Sequence, residues 1–372
     1  MKNVMGVINV NGRSGALKEL TLSRCSASVP FGGRYRLIDF VLSSMVNSGV
    51  QNVAVFTVNK YRSLMDHLGY GKEWDLNRKK DGLFVLPPDI NYHPGEPKGE
   101  LQHLYNHLDY LYRSRQKYVI ISGSNMVLNI NYTAAFNFHR EVKADITVLY
   151  REENTAGVED FAKGRRLALA DDGRVLDIEI KPGRLNTNKV LLKTFIMEKS
   201  LFIDLIESCV RRKRCSLIRD GIIRNIGKLN IFGFPHKGYF AVINSIGVYY
   251  KYSMDLLRPE VWQELFFRPG LIYTKVKDEP PTKYMEGAQV TNSLLANGCL
   301  IEGRVENSIL FRGVKVHRGV FIKDSIIMQR SEVGENVRIE NAILDKEVHI
   351  CREKEISGER NNPVVIPKKM VI

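Results

Sequence analysis

The chain has 372 residues, of which 44% are hydrophobic and 26% charged, with a formal net charge of +14. That composition supports a sizeable core and excludes a wholly disordered chain, and no apolar run approaches the roughly 20 residues that a membrane span needs. Five scattered cysteines without a C-x-x-C pair give neither a disulfide framework nor a zinc site, which fits a reducing cytoplasm.

The first ten residues, Met1 to Val10, lack the long apolar stretch of a secretion signal and read as a first strand. Residues 36–48 show helical spacing of Ile38, Val41, Leu42 and Met45, ending at Gly49. The β-branched run over 50–58 reads as a strand. Residues 101–113 repeat the helical pattern through Leu101, Leu104, Leu108 and Leu111. Apolar segments over 118–122 and 144–150 read as further strands, so the chain alternates strand and helix as βαβ units do. Ligands of such sheets bind beyond the carboxyl ends of the strands, which directs attention to the loops after Val10 and after Ser122. Asp171-Asp172-Gly173 is a hairpin turn signal rather than a metal pair.

The densest basic cluster, Arg211-Arg212-Lys213-Arg214, follows an apolar-periodic stretch, where cations favour a helix C-terminus. The remaining positive charge is spread among acids, so neither a nucleic acid nor a membrane is expected as partner. Residues 249–267 read as a helical connector broken at Pro259, and Pro269, Pro280 and Pro281 mark a looser stretch. Beyond it Glu306-Asn307-Ser308-Ile309-Leu310 recurs at Lys323 and at Glu340, 17 residues apart each time, with a looser copy at Thr291. Val290, Val305, Ile322 and Ile339 keep one phase. Such repetition, in six-residue steps, is the signature of a three-sided left-handed β-helix, of which about four coils can be counted. Two domains follow, 1–267 and the solenoid at 286–372, joined by a linker at 268–285.

The segment Val29-Pro30-Phe31-Gly32-Gly33-Arg34-Tyr35-Arg36-Leu37-Ile38-Asp39-Phe40 resembles V-P-F-G-G-[KR]-Y-R-[IL]-I-D-F of bacterial ADP-glucose pyrophosphorylases. Asn47-Ser48-Gly49-Val50, Trp74-Asp75-Leu76-Asn77-Arg78 and Val85-Leu86-Pro87-Pro88 resemble their N-S-G-I, W-D-L-x-R and V-L-P-P. The likeness runs over essentially the whole chain. It implies an α/β fold, a Rossmann-like nucleotidyltransferase domain with a mixed, mainly parallel sheet, followed by a C-terminal left-handed parallel β-helix. The activity it implies is glucose-1-phosphate adenylyltransferase: ATP and glucose 1-phosphate giving ADP-glucose and pyrophosphate. That reaction gathers three anionic groups, so it needs close backbone N–H donors, cations, and carboxylates that hold Mg²⁺.

Several family residues are replaced here. The family loop G-G-x-G-[ST]-R-L falls on Asn11 to Leu17, where two of three glycines are lost and Ala16 stands for the phosphate-binding Arg. The nucleotide loop G-T-A-D-A falls on Gly99-Glu100-Leu101-Gln102-His103. The two metal-binding Asp positions fall on Ser124 and Val242. Of the sugar-phosphate motif E-K-P, Lys181 remains as a possible remnant. An intact scaffold with an emptied site resembles the GlgD-type branch of the family. The resemblance therefore implies a non-catalytic regulatory or structural chain, its own active site inactive. Its partner would be the catalytic GlgC subunit in a heterotetramer. No cofactor is expected on this chain, Mg²⁺ belonging to the partner; no residue is assigned as catalytic or as a metal ligand. Arg24, Arg34 and Arg36 match family arginines that contribute to an inter-domain pocket for anionic effectors. Pairing with acids such as Asp39, or capping of the next helix, is the alternative for Arg34 and Arg36. Tyr239 and Phe240 are either substrate-facing or pocket-filling. Two other functions stay open: an active adenylyltransferase with a rearranged site, and a hexapeptide-repeat acyltransferase or scaffold using His317 or His349.

Overall fold

The structure, a computed structural model, describes residues 1–10, 17–57, 59–88, 99–153, 165–180 and 183–372. Its centre is a seven-stranded sheet: β1 (Val4–Asn9), β2 (Asn52–Phe56), β3 (Gly82–Leu86), β4 (Tyr118–Gly123), β5 (Ile146–Glu152), β6 (Lys189–Glu198) and β7 (Ile231–Pro235). The spatial order is β7-β5-β6-β4-β1-β2-β3. All neighbours pair in parallel except β6, which runs antiparallel to both β4 and β5. Alternation along the strands fills two cores. Met5 and Val7 of β1 face one, Val4 and Ile8 the other. The helix Leu37–Asn47 lies close on β1 because Gly6 has no side chain; a Cβ there would stand 2.6 Å from the Met45 sulfur.

The pattern expected as one helix over 101–113 forms two short ones, Glu100–Tyr105 and Leu108–Arg113. His107 leaves helical geometry between them, its ring nitrogen 2.9 Å from the Pro87 carbonyl. Leu101, Leu104, Leu108 and Leu111 still share one core face, which is why the periodicity runs on through the break. The turn at Asp171–Gly173 joins the antiparallel strands Leu167–Leu169 and Val175–Ile178, with Gly173 at φ +84°.

The connector consists of the helices Ile246–Met254 and Pro259–Phe267, the proline at the first position of the second. The stretch after it is strapped down rather than loose. Asn47 donates to the Leu271 carbonyl at 2.8 Å, and Asn129 to those of Leu265 and Gly270. Tyr273 N–H donates to the Ser43 hydroxyl at 2.9 Å.

The solenoid has three parallel sheets of five strands each. Its first strand, Lys283–Tyr284, lies inside the segment expected as linker and pairs with Leu300–Ile301. Val290, Val305, Ile322, Ile339 and Ile356 stack in register. The fifth coil escapes the repeat count because the loop between Ser357 and Val364 breaks the spacing before the last strand, Val364–Ile366, pairs with Ala342–Leu344. Asn292, Asn307, Asp324 and Asn341 occupy successive corners at φ 42–48°, a left-handed conformation that Asn and Asp tolerate best after glycine. One sheet turns Ile309, Ile326 and Ile343 outward onto Phe31, Phe40, Tyr249 and Phe266, so solenoid and first domain share a core.

Candidate functional site

The strand order reverses direction at β1, with β2 on one side and β4 on the other, and a crevice of this kind is where ligands of open α/β sheets bind. Ser124 follows β4 directly. The short strand after it, Met126–Leu128, pairs antiparallel with Phe240–Val242, Met126 opposite Val242. Asn125 locks the pair: its carbonyl accepts from Ile243 N–H at 2.9 Å and its side-chain amide donates to the Ile243 carbonyl at 3.0 Å. Of the two positions equated with metal carboxylates, Val242 thus lies opposite Met126, and Ser124 stands two residues before Met126. What they carry is a buried neutral hydroxyl and a half-buried hydrocarbon. Mg²⁺ prefers hard, charged oxygen ligands. Among the described residues no group of three or more His, Cys, Asp or Glu can hold a metal. Neither of these two side chains fits the ion.

A carboxylate does occupy this crevice, from the segment equated with the nucleotide loop, at a residue to which the sequence assigns no role of its own. Glu100 accepts from the Asn9 side-chain amide at the end of β1, at 3.0 Å, and from the Leu217 backbone N–H at 2.7 Å. Burial pushes its carboxyl above the ordinary carboxylate range, while the Leu217 N–H, the Ser216 hydroxyl, Lys193 and Arg165 pull the other way. Gly99 permits the arrangement, since a Cβ there would stand 2.7 Å from the Cys215 Cβ and 2.9 Å from its carbonyl. Lys193 runs alongside Gly123, the last residue of β4.

Phe240 lies in the core, and Tyr239 is turned toward the connector, its hydroxyl 3.3 Å from Asp255 and its N–H donating to Glu264. His317 pairs with Glu332 at 2.8 Å on the solenoid surface, and His349 stacks on Glu332 in the sheet register. Lys181 and the loop over 11–16 lie outside the described residues.

The second cluster lies where solenoid meets first domain. Arg24 is buried and its Nη2 donates to both oxygens of Asp345, at 2.9 and 2.8 Å, an ion pair across 321 residues of sequence. That carboxylate is solenoid-borne, so the guanidinium expected to face an effector is already engaged. Its Nη1 is buried without a hydrogen-bond partner. Arg36 donates to the Ser63 carbonyl and hydroxyl through its side chain, while its backbone N–H donates to Asp39. Asp39 also holds His67 at 2.6 Å, and burial pushes the His67 ring down from its ordinary value. Arg34 is exposed, its guanidinium 5.7 Å from the centre of the Tyr35 ring.

The three arginines thus approach one basic region, completed by residues that sequence reasoning missed: Lys346, Lys277 and Arg312. Lys346 neighbours Arg36, Arg24 and Lys277, and burial with those charges pushes its amine down to about 6. Burial likewise lowers Arg36 to about 10, and it lowers Arg312 and Lys277. Linker and solenoid corner supply these groups. No motif in their own segments marks them.

The nucleotidyl transferase family matches residues 5–228, and the GlmU-like C-terminal hexapeptide family matches residues 280–362. The chain is 41% identical to the glycogen biosynthesis protein GlgD of Bacillus subtilis (strain 168), over 99% of its own length and 96% of that protein. It is 40% identical to the glycogen biosynthesis protein GlgD of Geobacillus stearothermophilus, over 86% and 82% of the two chains. A glucose-1-phosphate adenylyltransferase of Desulforamulus reducens is 30% identical, over 100% and 95%.

Proposed function

The chain belongs to the nucleotidyl transferase family, in the branch that holds the GlgD proteins and the glucose-1-phosphate adenylyltransferases, and from that premise we propose that it is a non-catalytic subunit in glycogen biosynthesis. It modulates a catalytic adenylyltransferase subunit of the same fold, the GlgC chain, with which it assembles in the cytoplasm as a heterotetramer. One observation carries the reading. Ser124, two residues before Met126, and Val242, opposite Met126, fall at the positions equated with the family's metal carboxylates, and neither carries a charge. The loss of one charge partner in a transition state costs on the order of 3–4 kcal/mol, so losing two carboxylates together removes useful turnover.

A regulatory role draws support from the basic region between the domains. Arg24, Arg34 and Arg36 together with Lys277 and Arg312 offer a multivalent anion, such as a sugar phosphate or nucleotide, several cations from both domains, and the Lys346 amine, pushed down to about 6, is a further group that such an anion would favour in its charged form. Arg suits this because its planar fork meets phosphate oxygens in pairs. An anion seated there competes with Asp345 for Arg24 and so acts on the domain junction. Lys181 is a remnant of the sugar-phosphate site in this reading.

Co-expression with a catalytic adenylyltransferase subunit tests the proposal. The two chains are expected to co-purify and the mixture to differ from the catalytic subunit alone in substrate affinity or effector response. Separate elution with unchanged kinetics would contradict it.

A further inference from the structure

The crevice at the end of β1 has lost its metal carboxylates but kept several groups that suit a phosphate. A neutral amide donor (Asn9) and a backbone N–H (Leu217) converge there from opposite sides, and Lys193 and Arg165 add positive charge. Phosphate oxygens are ordinarily held by such a set, because backbone and amide donors position the anion and cations neutralise it. Here the Asn9 amide and the Leu217 N–H are both turned on one side chain of the protein itself, that of Glu100, and the charges of Lys193 and Arg165 act on it as well.

We propose that Glu100 is a specificity-determining residue: its carboxylate is a resident anion that fills a phosphate cradle and shuts polyphosphate ligands out of the crevice. The inference rests on the reading of the chain as non-catalytic and explains how the crevice is kept closed. Three features support it. Both carboxylate oxygens are engaged, by donors on separate elements, so the side chain is fixed rather than a mobile surface acid. The Leu101 N–H reaches the Cys215 carbonyl at 3.4 Å, and Gly99 lets the two segments touch, so the segment bearing Leu217 is held against Glu100. The resembling loop has Thr at this position, a side chain that is shorter and uncharged. A triphosphate entering the crevice meets a like charge already holding the donors that it would need, and like charges in a shared, partly desolvated site repel strongly.

The test is binding of inorganic pyrophosphate without divalent metal to the full chain, measured by calorimetry. Glu100→Ala empties the cradle. Glu100→Gln keeps an oxygen for the Leu217 N–H, removes the charge and gives up the acceptor of the Asn9 amide while keeping the side chain's size, so it carries the test if the alanine variant does not fold. Either variant is expected to bind pyrophosphate at least about tenfold more tightly than the parent. Adding Lys193→Met should erase the gain, which assigns it to this crevice rather than to the cations between the domains. Unchanged affinity in both variants, or a gain that survives Lys193→Met, would overturn the proposal. The assay contains no metal and no sugar phosphate, so its failure is distinct from the discovery of turnover by the parent chain, which would overturn the non-catalytic reading instead.

Discussion

Asp345→Ala is the perturbation that bears most sharply on how the two domains are joined. Asp345 gives both oxygens to Arg24, and it takes the Lys346 backbone N–H on one of them at 2.7 Å. Arg24 and Asp345 are 3% and 1% exposed, so water cannot replace the lost partner without opening the junction. The truncated variant strands a buried guanidinium near Arg36 and Lys346, with its second nitrogen already unpaired. Removing one member of a buried ion pair costs about 3–5 kcal/mol, and since Arg24 makes no second salt bridge among the described residues, this case falls toward the upper end. Urea unfolding monitored by tryptophan fluorescence measures the loss. The double variant Arg24→Met/Asp345→Leu should recover most of it, because two apolar side chains leave no stranded charge. Pyrophosphate should also rescue Asp345→Ala, by about 2.7 kcal/mol at a hundredfold excess over its dissociation constant. A loss below about 1 kcal/mol, or a double variant as unstable as the single one, would show that Arg24 is not desolvated at this junction.

Lys346 has an amine lowered from 10.5 to about 6, so the folded chain holds fewer protons than the unfolded chain between those values; stability should rise with pH across that window, and Lys346→Met should flatten the slope in urea midpoints taken at successive pH. Restoring Ala16→Arg, Ser124→Asp and Val242→Asp together should lower stability without metal, since one new carboxylate is buried at Ser124 and the other half-buried at Val242, and should confer Mg²⁺-dependent ATP binding measurable by calorimetry. Gly99→Ala should cost about 1–3 kcal/mol, because the new Cβ meets the Cys215 backbone and Cβ rather than a flexible side-chain end; thermal unfolding reads it out.

Much of the fold was legible because it rests on periodicities that local residues carry. The solenoid register was fixed by Val290, Val305, Ile322 and Ile339, which stack as their shared phase required. Its fifth coil was not legible, because the loop before Val364 displaces the last strand from the 17-residue spacing. The two short helices over 100–113 read as one because Leu104 and Leu108 keep helical separation across a non-helical His107. The strapping of residues 268–282 was hidden for a different reason: its hydrogen bonds come from Ser43, Asn47 and Asn129, far upstream, while the prolines alone suggested slack. Of the site, the motif match located Ser124, Val242 and the three arginines. The partners that decide what those arginines do, Asp345 and Lys346, stand one coil from the C-terminus and no local pattern announces them. The motif match also placed Glu100 in the segment equated with the nucleotide loop, but its partners Asn9 and Leu217 lie far off in sequence, and by itself an acid at a helix start reads as ordinary charge–dipole complementarity.

The most direct measurement is steady-state turnover of the isolated chain with ATP, glucose 1-phosphate and excess Mg²⁺, followed by pyrophosphate release. With Ser124 and Val242 offering no carboxylate, the chain alone should release none above the uncatalysed background. Robust Mg²⁺-dependent release that vanishes on substitution of its own side chains would contradict the account.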